Sequence, residues 1–305
     1  MLREGSSRHR VREARLGLIV ALGVVLAILV VLDRFAVALL RPRRRAPGRT
    51  PGALGLRSRD WIVQGQPPLN GWWVDGEDPS GPLVLVVHGW GANAAVTLPL
   101  VQAAAGVASH VLTYDLRGHG RNSVWPTVSL RTFQSDVERG VEAIREKAPR
   151  RPLVVIGHSM GGAGAILASA AGAPISGVLV VAAPYHIHDV IVTHLNDLGL
   201  PGRFIVPLLR PFWRLRIGVP EREIHPGKAA ARLDVPFRVI HPEEDTRVVI
   251  AEGEALAGAA AATLVRVPGA GHTDVLDRPE TAAEIVRFLR EVAPGERPSG
   301  TGDPA

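Results

Sequence analysis

The chain of 305 residues contains no cysteine. Disulfides and thiolate metal sites are therefore excluded, while the compartment stays unmarked, because a cysteine-free chain is allowed anywhere. No segment recurs at a fixed period, which excludes solenoids and propellers. The body of the chain also lacks a basic footprint. The formal net charge is +6, yet residues 1–49 hold eleven Arg against three acids, a balance of +8, so the rest carries −2. A domain with that balance has no electrostatic match to nucleic acid.

What the chain does have is apolar sequence, at 46% of residues, enough for a sizeable core. Part of it is concentrated near the N-terminus. Leu16 to Leu32 form an apolar run of seventeen residues, Asp33 and Arg34 interrupt it, and Phe35 to Leu40 resume it. As a helix the run reaches roughly 25 Å. Snorkelling Arg15 and Arg34 extend that reach toward a hydrocarbon core of ~30 Å. The expectation is a basic segment over 1–15, a transmembrane anchor over 16–40 and a Pro/Arg-rich linker over 41–60. A cleaved signal peptide ending at Ala36-Val37-Ala38 is the competing reading; against it, arginines crowd just past that site. Five Arg precede the run and six follow (34, 41, 43, 44, 45 and 49). By the positive-inside rule the slight excess places the following domain in the cytoplasm. The "RPRRRAPGR" cluster suits either anionic lipid headgroups or a solvated linker.

Beyond the linker, short Val/Ile/Leu-rich runs alternate with helical patterns. Trp61–Val63 and Gly71–Val74 read as two strands across a Pro-Pro turn. "LVLVV" (83–87), "HVLTYD" (110–115), "LVVIG" (153–157), "GVLVVAA" (177–183), "FRVIH" (237–241) and "TLVRV" (263–267) follow as strands. Helices fit 94–107, 160–171, 250–261 and 279–292, and another starts at Ser129. This alternation predicts an α/β fold with a mostly parallel, doubly wound sheet. Residues 185–230 break the rhythm and are expected to form a small helical cap over the C-terminal strand edges. The end, 293–305, reads as a disordered tail.

Four glycines surround one serine in "GHSMGGAG", 157–164. Gly157-His158-Ser159-Met160-Gly161 fits G-x-S-x-G, a sharp strand-to-helix turn that exposes a strained Ser Oγ. Side chains at 157 and 161 would collide with the neighbouring strand and helix. Ser159 is the candidate nucleophile, and the Met160 N–H points toward a reacting carbonyl. "HGWGAN" (88–93) follows the "LVLVV" strand and brings a second N–H, that of Trp90. Two such donors form an oxyanion hole. The base must come late in the chain, and among eleven histidines only His272 sits in a glycine-rich loop after the last strand. The acid should follow an earlier strand, as Asp245 does. Asp189, after the preceding strand, is the reserve.

The order Ser, Asp, His and the stretches "VVHGWGAN", "YDLRGHGRNS", "VVIGHSMGGAGAILAS", "HPEEDTRV" and "VPGAGHTD" resemble the α/β-hydrolases, close to their serine aminopeptidase-like and lysophospholipase-like branch. The resemblance covers about residues 61–292. It implies Ser159 as nucleophile, His272 as base, Asp245 as acid and Trp90 and Met160 as oxyanion donors, with no cofactor and no metal. It implies no catalytic role for Arg117 or His119. One departure is Pro242, where the family usually has Gly. A dehalogenase or epoxide hydrolase would need Asp at position 159.

Other residues carry less. His186, His188 and Asp189 lack a further metal ligand nearby in sequence. Trp72 and Trp73 read as strand packing, and His88 and His158 as supports of their turns. Phe204, Phe212 and Trp213 suit either a lipid-like pocket or packing within the cap. The functional expectation is a membrane-anchored serine hydrolase of esterase, lipase or thioesterase type, acting on a hydrophobic acyl substrate. Acyl transfer or cofactor-free perhydrolysis on the same triad, and a non-catalytic membrane scaffold, stay open.

Overall fold

A computed structural model describes residues 2–293, with side chains described from residue 12 onward, Glu221 excepted. The tail assigned to 293–305 lies outside the described residues apart from residue 293. The chain opens with helix α1 (Leu2–Leu39). There follow β1 (Ser58–Val63), β2 (Leu69–Asp75), β3 (Leu83–Val87), α2 (Leu98–Ala105), β4 (His110–Tyr114), α3 (Leu130–Lys147), β5 (Leu153–His158), α4 (Met160–Ala170) and β6 (Gly177–Val181). Two cap helices come next, α5 (Ile187–Asp197) and α6 (Gly202–Ile217), and then α7 (Pro226–Ala230), which packs against α4 and α8 in the main core. The chain closes with β7 (Phe237–Pro242), α8 (Ile250–Ala259), β8 (Thr263–Val267) and α9 (Pro279–Val292).

The eight strands form one sheet in the order β1-β2-β4-β3-β5-β6-β7-β8. β2 pairs antiparallel with β1 and β4, and every pairing from β4 through to β8 is parallel. The central strands are apolar throughout because both faces are covered. Alternate residues of β3 separate accordingly: Leu83, Leu85 and Val87 join the layer under α3, α4 and α8, while Val84 and Val86 join the layer under α2 and α9.

Two element starts differ most from the sequence reading. β1 starts at Ser58, inside the expected linker, because Ser58, Arg59 and Asp60 pair with Val74, Trp73 and Trp72 despite their exposure. Backbone pairing, which apolar patterning does not register, sets that edge. α2 starts at Leu98 rather than 94. The Ala94 N–H donates to Asp115 and the Ala95 N–H to Asn93, which fixes a turn before the helix.

Arg12–Leu39 within α1 is long and apolar enough to cross a membrane. Residues 12–31 are exposed, whereas Ala36 and Leu40 are buried against Leu195 of α5 and Val206, Leu209 and Trp213 of α6. The Trp213 Nε1–H donates to the Ala36 carbonyl at 3.0 Å, and Asp33 pairs with Arg216. The following segment is also fixed in place. Val128 N–H donates to the Leu40 carbonyl at 2.8 Å, Arg41 and Arg44 donate to the carbonyls of Pro126 and Gly120, and Asn93 donates to the Arg45 carbonyl at 2.9 Å. Residues 40–45 thus cross the loops that follow β3 and β4.

Candidate active site

All the residues that could carry chemistry leave the sheet at the C-terminal ends of its parallel strands. At the end of β5 the chain reverses into α4 through Ser159, whose φ of 54° and ψ of −125° are a conformation L-residues rarely adopt. Close packing holds it there. A Cβ on Gly161 would sit 2.5 Å from the His88 carbonyl oxygen and 2.6 Å from that of Val87, and one on Gly157 would strike the Gly162 backbone. The collisions expected from G-x-S-x-G are therefore with the β3 end and with α4. The Ser159 N–H is tied to the Val181 carbonyl at 2.8 Å. Met160 opens α4, so its N–H is among the first four that a helix leaves without an internal acceptor. The His88–Trp90 turn lies alongside: a Cβ on Gly89 would fall 2.9 Å from Ser159 Cβ.

His272 reaches this serine from the loop after β8, with Nε2 3.0 Å from Ser159 Oγ. Its Nδ1 lies 2.6 Å from Asp245 Oδ2. A carboxylate can only accept, so Nδ1 carries the proton and Nε2 presents its lone pair to the serine hydroxyl. The other Asp245 oxygen accepts from the N–H groups of Arg247 and Val248, at 2.8 and 2.9 Å. Burial alone would raise the Asp245 pKa. The His272 hydrogen bond and charge, with those two N–H groups, outweigh it and hold the carboxyl below its ordinary value of 3.8. The Asp245 and His272 loops are stitched together where the Glu243 and Glu244 N–H groups donate to the carbonyls of Val267 and Ala270. Pro242 ends β7 in register with Val267, and Asp245 still reaches His272 despite the departure from Gly. Asp189 is exposed on α5 and is not the partner of His272.

Known proteins resemble this chain in sequence and in fold. The model of the family described as "Serine aminopeptidase, S33" matches residues 78–215. An uncharacterized protein of Mycobacterium tuberculosis, Rv2307c, is 30% identical over 257 residues, which is 81% of this chain and 85% of that protein. The chain is an α/β-hydrolase of the serine aminopeptidase-like branch. Human monoglyceride lipase is 28% identical over 179 residues, 55% of this chain, and the hydrolase spans only 59% of that lipase's length. The fold is shared with the esterase Pf2001 of Pyrococcus furiosus, at a TM-score of 0.66 and 21% identity, covering 82% of this chain and 98% of that one.

The hydrolase supports its site with histidines whose partners sequence reading did not identify. His88, His158 and His241 sit at the ends of β3, β5 and β7 and are buried. His158 Nε2 lies 2.9 Å from the His272 carbonyl, so its N–H holds the His272 loop. The His241 Nε2–H donates to the Val248 carbonyl at 2.7 Å and fixes the Asp245 loop. His88 Nε2 accepts from the Leu116 N–H at 3.0 Å, which leaves Nδ1–H to donate to the Gly89 carbonyl in the Trp90 turn. The available signal was position: each histidine closes an apolar strand on the edge that carries the serine. His119 packs edge-on to the Trp90 and Phe133 rings. Burial pushes the pKa of His88 down to about 4 and those of His119 and His158 down to about 3. Desolvation is the leading cause in each.

The Trp90 ring is half-buried and stacks near Phe133 at 6.4 Å. Arg117 bonds to Asp136, and its carbonyl accepts from His119 Nδ1, so both residues brace the loop after β4. Trp72 and Trp73 are buried in the sheet, on opposite faces. Phe212 and Trp213 pack with α1, whereas Phe204 faces outward. His186 caps α5 by accepting the His188 N–H, and no group of three or more His, Asp or Glu suited to a metal occurs among the described residues.

Proposed function

We propose that this protein is a membrane-anchored serine hydrolase that cleaves a carboxylic ester of a hydrophobic, lipid-derived substrate. The observation that carries the reading is the continuous relay from Ser159 Oγ through His272 to Asp245, with steps of 3.0 and 2.6 Å. His272 Nε2 takes the hydroxyl proton as Oγ attacks the ester carbonyl. Asp245 keeps the imidazole in the productive tautomer and stabilises the imidazolium. The N–H groups of Trp90 and Met160 receive the oxyanion, a role in which each donor is worth about 3 kcal/mol. The imidazolium protonates the departing alkoxide, leaving an acyl-Ser159. Water, deprotonated by His272, then attacks the acyl group and releases the acid.

The substrate class rests on the anchor and on the kinship with a lipase. The reading of α1 as an anchor rather than a cleaved signal rests on residues 33–40. Their packing on α6 is part of the tertiary structure, and cleavage after Ala38 would discard it. The arginine count puts the catalytic domain on the cytoplasmic side.

The test is labelling by a fluorophosphonate, followed by turnover of p-nitrophenyl esters of increasing chain length. Wild type is expected to label and Ser159→Ala is not; equal labelling of both would refute the nucleophile. Asp245→Asn is expected to lower kcat by a factor on the order of 10⁴ with KM little changed, since imidazole orientation is lost. Near-normal turnover of that variant would move the acid elsewhere.

A further inference from the structure

Helix α6 is apolar on two faces. One face, Val206, Leu209 and Trp213, packs on the end of α1 and on α5. The opposite face carries Phe204, Leu208 and Leu215, which are 61%, 56% and 80% exposed. Their spacing of four and seven residues aligns them in one stripe of a 3.6-residue helix. Arg203, Arg210 and Arg214 form a row along one border of that stripe, and α6 contains no Asp or Glu. Arg203 lies over the Phe204 ring, 4.5 Å from its centre, and Arg210 reaches His188 at 3.2 Å. An exposed apolar stripe edged by arginines is the pattern of a helix lying in a lipid interface. Long arginine stems reach along the apolar surface while the guanidinium stays with phosphate.

The depth of α6 is set by its contact with α1. The exposed apolar part of α1 ends where Asp33 and Arg34 interrupt the run, and α6 meets α1 from Leu32 onward, with Arg216 on Asp33. Accepting the anchor reading above, on which this step rests, the polar pair at 33–34 marks the headgroup level, and the C-terminal end of α6 lies beside it through Arg216.

We infer that the outward face of α6 is a second membrane contact, in which Phe204, Leu208 and Leu215 enter the interface and the arginine row binds anionic headgroups. Anchor and cap then act as one lipid-facing unit. Residues 40–45 are bonded to the loops after β3 and β4, so the same contact turns the catalytic edge of the sheet toward the bilayer.

The absence of native cysteine gives a direct test, because one introduced thiol carries a unique label. Leu208→Cys, Leu215→Cys, Ile28→Cys in the anchor and, at the exposed Glu146 of α3, Glu146→Cys are each labelled with an environment-sensitive nitrobenzoxadiazole. The full chain is reconstituted into vesicles of phosphatidylcholine and phosphatidylglycerol. Labels at 208 and 215 are expected to shift to the blue, to resist aqueous iodide and to be quenched by lipids spin-labelled near the headgroup. The label at 28 should respond to deep spin labels, and the label at 146 to iodide alone. If 208 and 215 behave like 146 while 28 is quenched by lipid, α6 faces water: this inference fails and the anchor stands. If 28 also escapes lipid quenching, the anchor reading itself fails. Shielding of 208 and 215 from both quenchers, with energy transfer between labelled copies, would mean that a second copy covers the stripe and would overturn the lipid assignment. Replacing phosphatidylglycerol by phosphatidylcholine should weaken headgroup quenching at 208; an unchanged signal would refute the role of the arginines.

Discussion

Ser159 holds a positive φ although it has a side chain, a conformation that costs on the order of 1–3 kcal/mol. The turn keeps it because α4, the β3 end and the Val181 carbonyl leave the backbone no other path. Strain of this kind can be measured apart from the hydroxyl's own bond to His272. Ser159→Ala and Ser159→Gly both lose that bond, but only glycine relieves the strain. The glycine variant should therefore be about 1 kcal/mol more stable than the alanine variant in urea unfolding, and neither should react with a fluorophosphonate. Equal stability would show that the turn stores no strain. The motif's spacing made this residue visible in the sequence, since only glycine suits 157 and 161 beside such a turn.

Elements contribute by what their strand ends hold. β3, β5 and β7 each close on a buried histidine that fastens a neighbouring loop: the Trp90 turn, the His272 loop and the Asp245 loop respectively. The structure leaves His158 Nδ1, His241 Nδ1 and His119 Nε2 without a partner, so a second proton there would have no acceptor. Desolvation lowers the pKa of all four buried rings. An unfolded histidine takes its proton near pH 6.5, whereas folded His88 waits until about 4 and His119 and His158 until about 3. Below 6.5 the unfolded state therefore binds more protons, and stability falls as pH falls through that window. Above 6.5 these groups add no pH dependence. Asp245, also lowered, acts in the same direction, but only below its ordinary value of 3.8. The urea midpoint should drop steadily from pH 7 to pH 5, and His158→Gln, which retains a donor but does not titrate, should reduce the slope. A midpoint that does not move with pH would contradict neutral, buried rings.

For the molecule as a whole, the consequential contact joins residues far apart in the chain. Trp213 is buried among the end of α1 and α5, and its indole N–H is bonded to the Ala36 carbonyl. Trp213→Ala removes a large buried ring, a change that costs ~3–5 kcal/mol in a packed interior. Because the loss falls at the junction of α1 with α5 and α6, hydrogen exchange should quicken in residues 33–40 and in α6 while β3, β5 and β6 keep their protection. Uniform loss of protection would mean that the cap and the sheet unfold as one unit.

The sequence alone determined the strand–helix alternation, the strained serine and the chain order of Ser159, Asp245 and His272. Each depends on local rules: the period of apolar residues, the steric demand of a turn, and the place of a loop after a strand. Tertiary structure decided which side chains hold the loops, where β1 begins, and that the end of the N-terminal helix docks on the cap rather than leading into a free linker. Those outcomes depend on shape and hydrogen-bond complementarity between segments as distant as Ala36 and Trp213. Apolar periodicity marks such a surface as buried without naming the surface that covers it.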